Sequence, residues 1–423
     1  MTVEHKQPMN YEHYILPHLL PDVRPREPHD DSLRDDPDEK FFIRTHQAFE
    51  IWFAQILSEL EYARMLLSQP PPAYVPESDV PVIEGHVRRA AAIFDLINQH
   101  LPLLETLDTT SFYNFRKYLF GASGTQSFRF REVEWLMGLL DGGLLDYAKQ
   151  KCELDAKFLK RGSGGEHAKP RERSPNEREY DSLAQYQAQW NSRRNAKREQ
   201  FDIQEFEGMD ASREALQRRL LDIRENGTLR DKATEWLQRT TFPSLRGAQP
   251  HAKHSESFAK KYRDAYLAAH ADDSRILGDL QGLKRAAIKR LNREAGQKVE
   301  FFLEAPHRRA IVFVVQFASQ PLLAWPASLI EALLELDQAF ANWRDRHIAM
   351  VARVLGGGRI STLGGAGSGL LYLRGTLHKR VFPEIWDARS FMLSREEAAT
   401  IFTPRQLRAF GFVHEERSRR DTS

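Results

Sequence analysis

Apolar residues recur three and four positions apart through most of this chain, and no alternating run is long enough to argue for a substantial sheet. That periodicity predicts an all-α protein, because a helix turns such residues onto one face and those faces bury against one another. The clearest case is 41–68, FFIRTHQAFEIWFAQILSELEYARMLLS, where Phe42, His46, Phe49, Phe53 and Leu57 share a side. Within 82–104, Val87, Ala90, Ile93, Phe94, Ile97 and Leu101 do the same. Asp108 and Thr109 have the chemistry of an N-cap for a short helix carrying Ser111 to Leu119. Phe128 to Ala148 then continues as an apolar helix.

The middle of the chain changes character. Residues 160–178, KRGSGGEHAKPRERSPNER, have the composition of a solvated loop, 180–300 read as charged helices, and 241–257 read as a connector. Apolar content returns at 301–357, followed by the glycine cluster GGGRISTLGGAGSG at 356–369. The expected organisation is a helical core in two parts, 1–150 and 301–423, split by a polar helical insertion at 151–300. That insertion is predicted to be a solvated elaboration or a cap on the site.

Composition narrows the function. A chain of 423 residues can enclose a cofactor. Lys+Arg 61 against Asp+Glu 59 leaves a formal charge of +2, which gives no global reason for a nucleic-acid partner. The single cysteine, Cys152, excludes an internal disulfide framework and a cysteine-cluster metal site, and makes a reducing, cytoplasmic setting the expectation. The first residues, MTVEHKQPMNYEHY, carry charges and no apolar run, so no secretory signal is expected. Ala310 to Ile330 is uncharged and long enough to span a bilayer, but Gln316, Ser319, Gln320, Pro321 and Pro326 interrupt it. It is read as buried core, so no membrane partner is expected.

Two histidines lie on apolar faces. His347 shares a helix side with Trp343, Met350, Val351 and Val354, and His46 sits between Phe42 and Phe49. A buried histidine is ordinarily a hydrogen-bonded core residue. A pair on separate aromatic-rich helices opens a second reading, because haem needs a planar apolar slot and an axial imidazole. Phe112 and Arg116, four apart, project a ring and a guanidinium from one helix face. An aromatic wall beside a carboxylate clamp suits an aromatic amino acid, although an arginine so placed also makes ordinary surface salt bridges. Arg129 and Arg131 could meet propionates or acidic neighbours. The glycine cluster lacks the strand–turn–helix setting of a dinucleotide site and the lysine of a P-loop.

These blocks, in this order, resemble the tryptophan 2,3-dioxygenase family. They are Tyr11-Glu12-His13-Tyr14-Ile15; Asp38-Glu39 with FFIRTHQAFEIWF at 41–53; LLET at 103–106; FYNFRKYLFGASGTQSFRFREVE at 112–134; Trp343-Arg344-x-x-His347-x-x-Met350-Val351; and the glycine loop with Tyr372-Leu373-Arg374 and Phe382-x-Glu384-x-Trp386. The resemblance implies an all-α helical-bundle protein that binds haem b and assembles as a homotetramer. It places His347 on the iron ligand, with Trp343 one turn before it, and His46 on the distal histidine near the indole nitrogen. Phe42 and Phe112 fall on the aromatic wall and Arg116 on the binder of the substrate carboxylate. Ser123 and Gly124 fall on the loop beside the haem, and Arg131 on a propionate partner. Tyr11, Tyr14 and Ile15 fall on the segment that reaches a neighbouring subunit's site.

The reaction implied adds both atoms of O2 across the indole double bond of L-tryptophan, or a close derivative, to give N-formylkynurenine. Three positions depart from the family pattern. Gly364 replaces the threonine that meets the substrate's ammonium and carboxylate, with Thr362 two residues earlier; Thr125 replaces a phenylalanine; and Pro37 replaces a histidine. They keep a runner-up in view, a haem monooxygenase acting on a modified tryptophan or another aromatic amino acid. A non-catalytic haem sensor is a third reading, opposed by the retention of Arg116, Phe112 and His46.

Overall fold

In a computed structural model, the residues described are 36–68, 75–116, 127–139, 218–219, 221–240, 252–355 and 380–402. They are helical, with no strand among them. The principal helices are α1 (Pro37–Leu67), α2 (Val80–Leu104), α3 (Thr109–Arg116), α4 (Phe128–Met137), α5 (Leu229–Thr240), α6 (Ala252–Gln281), α7 (Arg285–Glu304), α8 (Pro306–Gln316), α9 (Ala324–Leu355), α10 (Pro383–Ala388) and α11 (Arg395–Ala399).

Local chemistry sets the helix ends. The Asp36 carboxylate accepts from the backbone N–H of Asp38 at 2.8 Å and of Glu39 at 3.3 Å, capping α1. Pro37 takes the first helical position, where its missing N–H has no intrahelical partner to lose. This departure from the family pattern is therefore a good helix start. Asp108 caps α3 as expected, accepting from Ser111 N–H at 2.9 Å. The helix expected to run from Phe128 to Ala148 instead closes at Met137. Gly138, at φ 113°, takes the left-handed position and returns its N–H to the Glu134 and Trp135 carbonyls. The connector expected over 241–257 is helical from Ala252, just after Pro250.

The most extensive packing joins α2 to α9, with α1 also packed against α2. Phe94 and Phe340, both fully buried, meet edge to face at 5.3 Å across the α2–α9 joint. Helices of the charged middle stretch reach the same core: Leu229, Ala233, Trp236 and Leu237 from α5, Phe258 and Tyr262 from α6, and Val299, Phe302 and Leu303 from α7. The apolar stretch 310–330 is divided between α8, a 3-10 turn at Pro321–Leu323 and the start of α9, and among the described residues no helix is long and apolar enough to cross a membrane.

Two buried polar ties hold the later elements in place. The Gln316 side chain accepts from Leu393 N–H at 2.8 Å and donates to Leu393 carbonyl at 3.0 Å. The Tyr262 hydroxyl lies 2.7 Å from Gln316 Oε1 and 2.9 Å from the Phe391 carbonyl, and burial raises its pKa. Tyr262→Phe is expected to cost roughly 1–2 kcal/mol, because a buried carbonyl loses its donor while the ring still packs. Urea unfolding measures this, and an unchanged midpoint would remove the hydroxyl from the tie. The second tie is Asp337, fully buried on α9. Its carboxylate accepts from Val381 N–H at 2.9 Å, Phe382 N–H at 3.4 Å and Trp386 Nε1–H at 2.7 Å.

Candidate functional site

The start of α1 carries Phe42, His46 and Phe49 on consecutive turns, so their side chains stack along one face. The rings of Phe42 and His46 are 4.1 Å apart. Cap-anchored α3 brings Phe112 to 5.7 Å and Phe115 to 5.5 Å from Phe42, and these two rings meet edge to face at 5.2 Å. Beyond His46, Phe49 lies 5.9 Å away and stacks on His100 of α2. The candidate histidine of α1 thus stands at an aromatic wall built from two helices.

A second wall forms where α1, α4 and α9 meet. Trp343 lies nearly parallel to His347, with ring centroids 5.1 Å apart and planes 9° apart. Phe53 closes on the indole edge to face at 5.8 Å, and Phe130 packs on it at 4.5 Å. Phe130 is positioned by the N-cap of α4, where Ser127 Oγ accepts its N–H at 3.1 Å. The buried Trp343 Nε1 has no hydrogen-bond partner among the described residues.

Electrostatics join the two walls. Burial, the neighbouring His46 and Arg131 together push the pKa of His347 down to about 4. Burial also lowers the pKa of His46, opposed by the Phe42 carbonyl and by Glu50. Both imidazoles are half-buried and favour the neutral form. His46 Nδ1 lies 2.8 Å from the Phe42 carbonyl. A carbonyl only accepts, so neutral His46 carries its proton on Nδ1 and leaves Nε2 as an acceptor. Arg131 is held by Glu134 one turn later, both mostly buried.

Of the expected site residues, the fold therefore gathers Phe42, His46 and Phe112 at one wall and Trp343, His347 and Arg131 at the other. Arg116 closes α3, directly after Phe115, and its side chain lies outside the described residues. Tyr11, Tyr14, Ile15, Ser123, Gly124 and Gly364 also lie outside them. Sequence reasoning does not assign Phe115, Phe130 or His100 to the site. Phe115 is detectable as the residue three after Phe112, whereas His100 shows no signal before the fold brings it to Phe49. A recess of about 540 Å³ between α2 and α9, lined by Asp95, Asn98, Gln99, Asn342, Asp345 and Arg346, contains none of the candidate residues.

The donor chemistry fits haem. A neutral, desolvated imidazole offers a lone pair for iron, the Phe53, Phe130 and Trp343 rings supply apolar packing, and Arg131 supplies a cation for ring carboxylates. Among the described residues no three His, Cys, Asp or Glu side chains gather as a metal-holding group, and a porphyrin iron needs only one imidazole from the protein.

The neutral site also makes stability pH-dependent in the haem-free protein. A histidine in the unfolded chain titrates near 6.5, so between about 6.5 and 4 the unfolded state binds a proton that folded His347 refuses. Stability should therefore fall as pH drops through that window, by roughly 1–3 kcal/mol. Urea unfolding at pH 7 and pH 5 measures it against His347→Gln. Equal pH slopes in the two proteins would contradict a His347 held in its neutral form.

The family profile for tryptophan 2,3-dioxygenase matches residues 2–161 and 191–392. The chain is 32% identical over 381 residues to "Tryptophan 2,3-dioxygenase 2" of Ralstonia nicotianae, covering 89% of this chain and 91% of that protein. It is 31% identical over 375 residues to a tryptophan 2,3-dioxygenase of Sorangium cellulosum, covering 88% and 81%. A further relative of that name, from Bdellovibrio bacteriovorus, is 25% identical over 372 residues, covering 85% and 86%. A match reaching through both walls of the site and most of the helical frame has one consequence: the protein belongs to the tryptophan 2,3-dioxygenase family.

Proposed function

We propose that the protein is a haem b-dependent dioxygenase that opens the indole ring of L-tryptophan, or a close derivative, with O2 to give N-formylkynurenine. The observation that carries this reading is that α1 builds both parts of the site, holding His46 against the Phe42–Phe112–Phe115 wall and, through Phe53, closing on the Trp343 that stacks on His347. When bound, the haem supplies the activation of O2 that no amino-acid side chain provides.

The chain's own residues then divide the remaining work. His347, on which Trp343 stacks, would provide the iron ligand, and Arg131 would meet a ring carboxylate, with Ser123 and Gly124 as further residues of the haem site. Phe42 and Phe112 hold the indole plane, and His46 Nε2 accepts the indole N–H, which orients the ring. The indole N–H is a very weak acid, so an orienting role suits His46 better than that of an obligatory base. Arg116 clamps the substrate carboxylate, and fixing both ends of the amino acid restricts it to one reactive pose. Tyr11, Tyr14 and Ile15 close the site from a neighbouring subunit of a homotetramer, while Gly364 lines its amino-acid end. The protein works in the cytoplasm.

Haem-loaded, reduced protein supplied with L-tryptophan and O2 tests the reading. The expected product is heavier than tryptophan by two oxygen atoms and has the absorbance of an opened ring. A product with one added oxygen and an intact ring would establish the monooxygenase alternative. No product from haem-loaded protein would reject L-tryptophan as substrate and turn attention to Gly364 and Thr125.

A further inference from the structure

The recess of about 540 Å³ between α2 and α9 is lined in one pattern from both helices. Asn98 and Gln99 follow Asp95 by three and four positions on α2, and Asp345 and Arg346 follow Asn342 likewise on α9, so each trio forms one helix face. None of the six is apolar. Asn98 is the buried member, 6% exposed, and its Oδ1 has no hydrogen-bond partner among the described residues. A buried amide oxygen costs stability until a donor meets it. Around it stand the charges of Asp95, Asp345 and Arg346, exposed and without an ion pair among the described residues. Asn342 Oδ1 is already engaged, accepting from Gln338 Nε2. At about 100° per residue, the α9 trio points roughly a third of a turn away from Trp343 and His347, which separates the recess from the aromatic walls.

We propose that this recess is a second ligand site, taking a basic α-amino acid. Its lining carries two carboxylates and one guanidinium, whereas such an amino acid carries two cationic groups and one carboxylate. The charges therefore match group for group. The two cationic groups meet Asp95 and Asp345, the carboxylate meets Arg346, and an N–H of the ligand donates to Asn98 Oδ1. The volume suits a small molecule, and a lining without aliphatic or aromatic side chains offers nothing to an indole. The recess and the aromatic walls thus select amino acids of opposite character. A ligand held here spans α2 and α9, the two most extensively packed helices.

Calorimetric titration of the full chain with L-lysine tests this, and cadaverine, which is lysine without its carboxylate, provides the comparison. Exposed charges attract weakly in water, so one L-lysine should bind per chain with a dissociation constant on the order of 1 mM. Cadaverine should bind about fivefold more weakly. Arg346→Gln should bring the two ligands level by weakening lysine alone, and Asp345→Asn should weaken both about fivefold. These two variants alter exposed side chains and should fold as wild type does. Asn98→Ala, which removes the buried acceptor, should also weaken both ligands about fivefold. L-Tryptophan should leave lysine binding unchanged. Displacement of lysine by L-tryptophan would put it in the aromatic site and overturn the proposal. So would equal binding of lysine and cadaverine by wild type, lysine binding unaltered by Arg346→Gln, or no heat of binding with lysine at about ten times the expected constant.

Discussion

Alanine at position 347 is expected to leave a folded protein that keeps little of the haem proposed for it. His347 is half-buried on α9, with Trp343 stacked one turn before it, and its ring makes no hydrogen bond or ion pair among the described residues. Truncation should therefore cost only about 1 kcal/mol of stability. Removing the imidazole proposed to hold the iron should weaken haem affinity by at least about 100-fold, beyond the effect of losing a supporting contact. The haem-to-protein ratio after gel filtration, read from the Soret band, measures the loss. His46→Ala provides the contrast, because it should retain haem and change turnover. Stoichiometric haem in the His347 variant would sink the ligand assignment.

The largest effect on stability is expected from Asp337→Ala. Its carboxylate has no contact with water and accepts from three donors of the C-terminal segment, two backbone N–H groups and the Trp386 indole. Alanine strands all three in the interior, which should cost roughly 3–5 kcal/mol. An asparagine side chain there would keep an acceptor but turn an amide NH2 toward some of these donors, so Asp337→Asn should lose roughly 1–3 kcal/mol. Chemical denaturation gives both values. Limited proteolysis should show early cleavage within 380–402 in the alanine variant, and wild-type resistance there would mean that other contacts hold the segment.

Much of this architecture can be read before any coordinates, because it depends on contacts within single helices. The Phe42–His46–Phe49 stripe, the Asp108 cap and the Trp343–His347 pair are all of this kind. Asp337 is different. In sequence it is one carboxylate in the middle of a helix, which normally means a solvated face, and its partners come 44 to 49 residues later. The middle segment is hard to read for a related reason. Leu229, Ala233, Trp236 and Leu237 form a narrow apolar stripe among charges, enough to join a core but too sparse to dominate composition. At the end of α4 the signal is present in Gly138, but the apolar residues after it suggest continuation. At the start of α6, Pro250 marks a boundary, yet the polar residues around it have the composition of a longer connector.

The joint between Phe53, Phe130 and Trp343 draws one ring each from α1, α4 and α9, and His347 rests on it. In a chain made from the N-terminus, α1 and α4 leave the ribosome long before α9 exists. The first wall, from α1 and α3, can close early, but the seat of His347 has to wait until nearly the whole polypeptide has emerged. On the proposed function, cofactor capture would then be a late event in biosynthesis, and a chain broken off before α9 would carry the aromatic pocket without the proposed iron ligand.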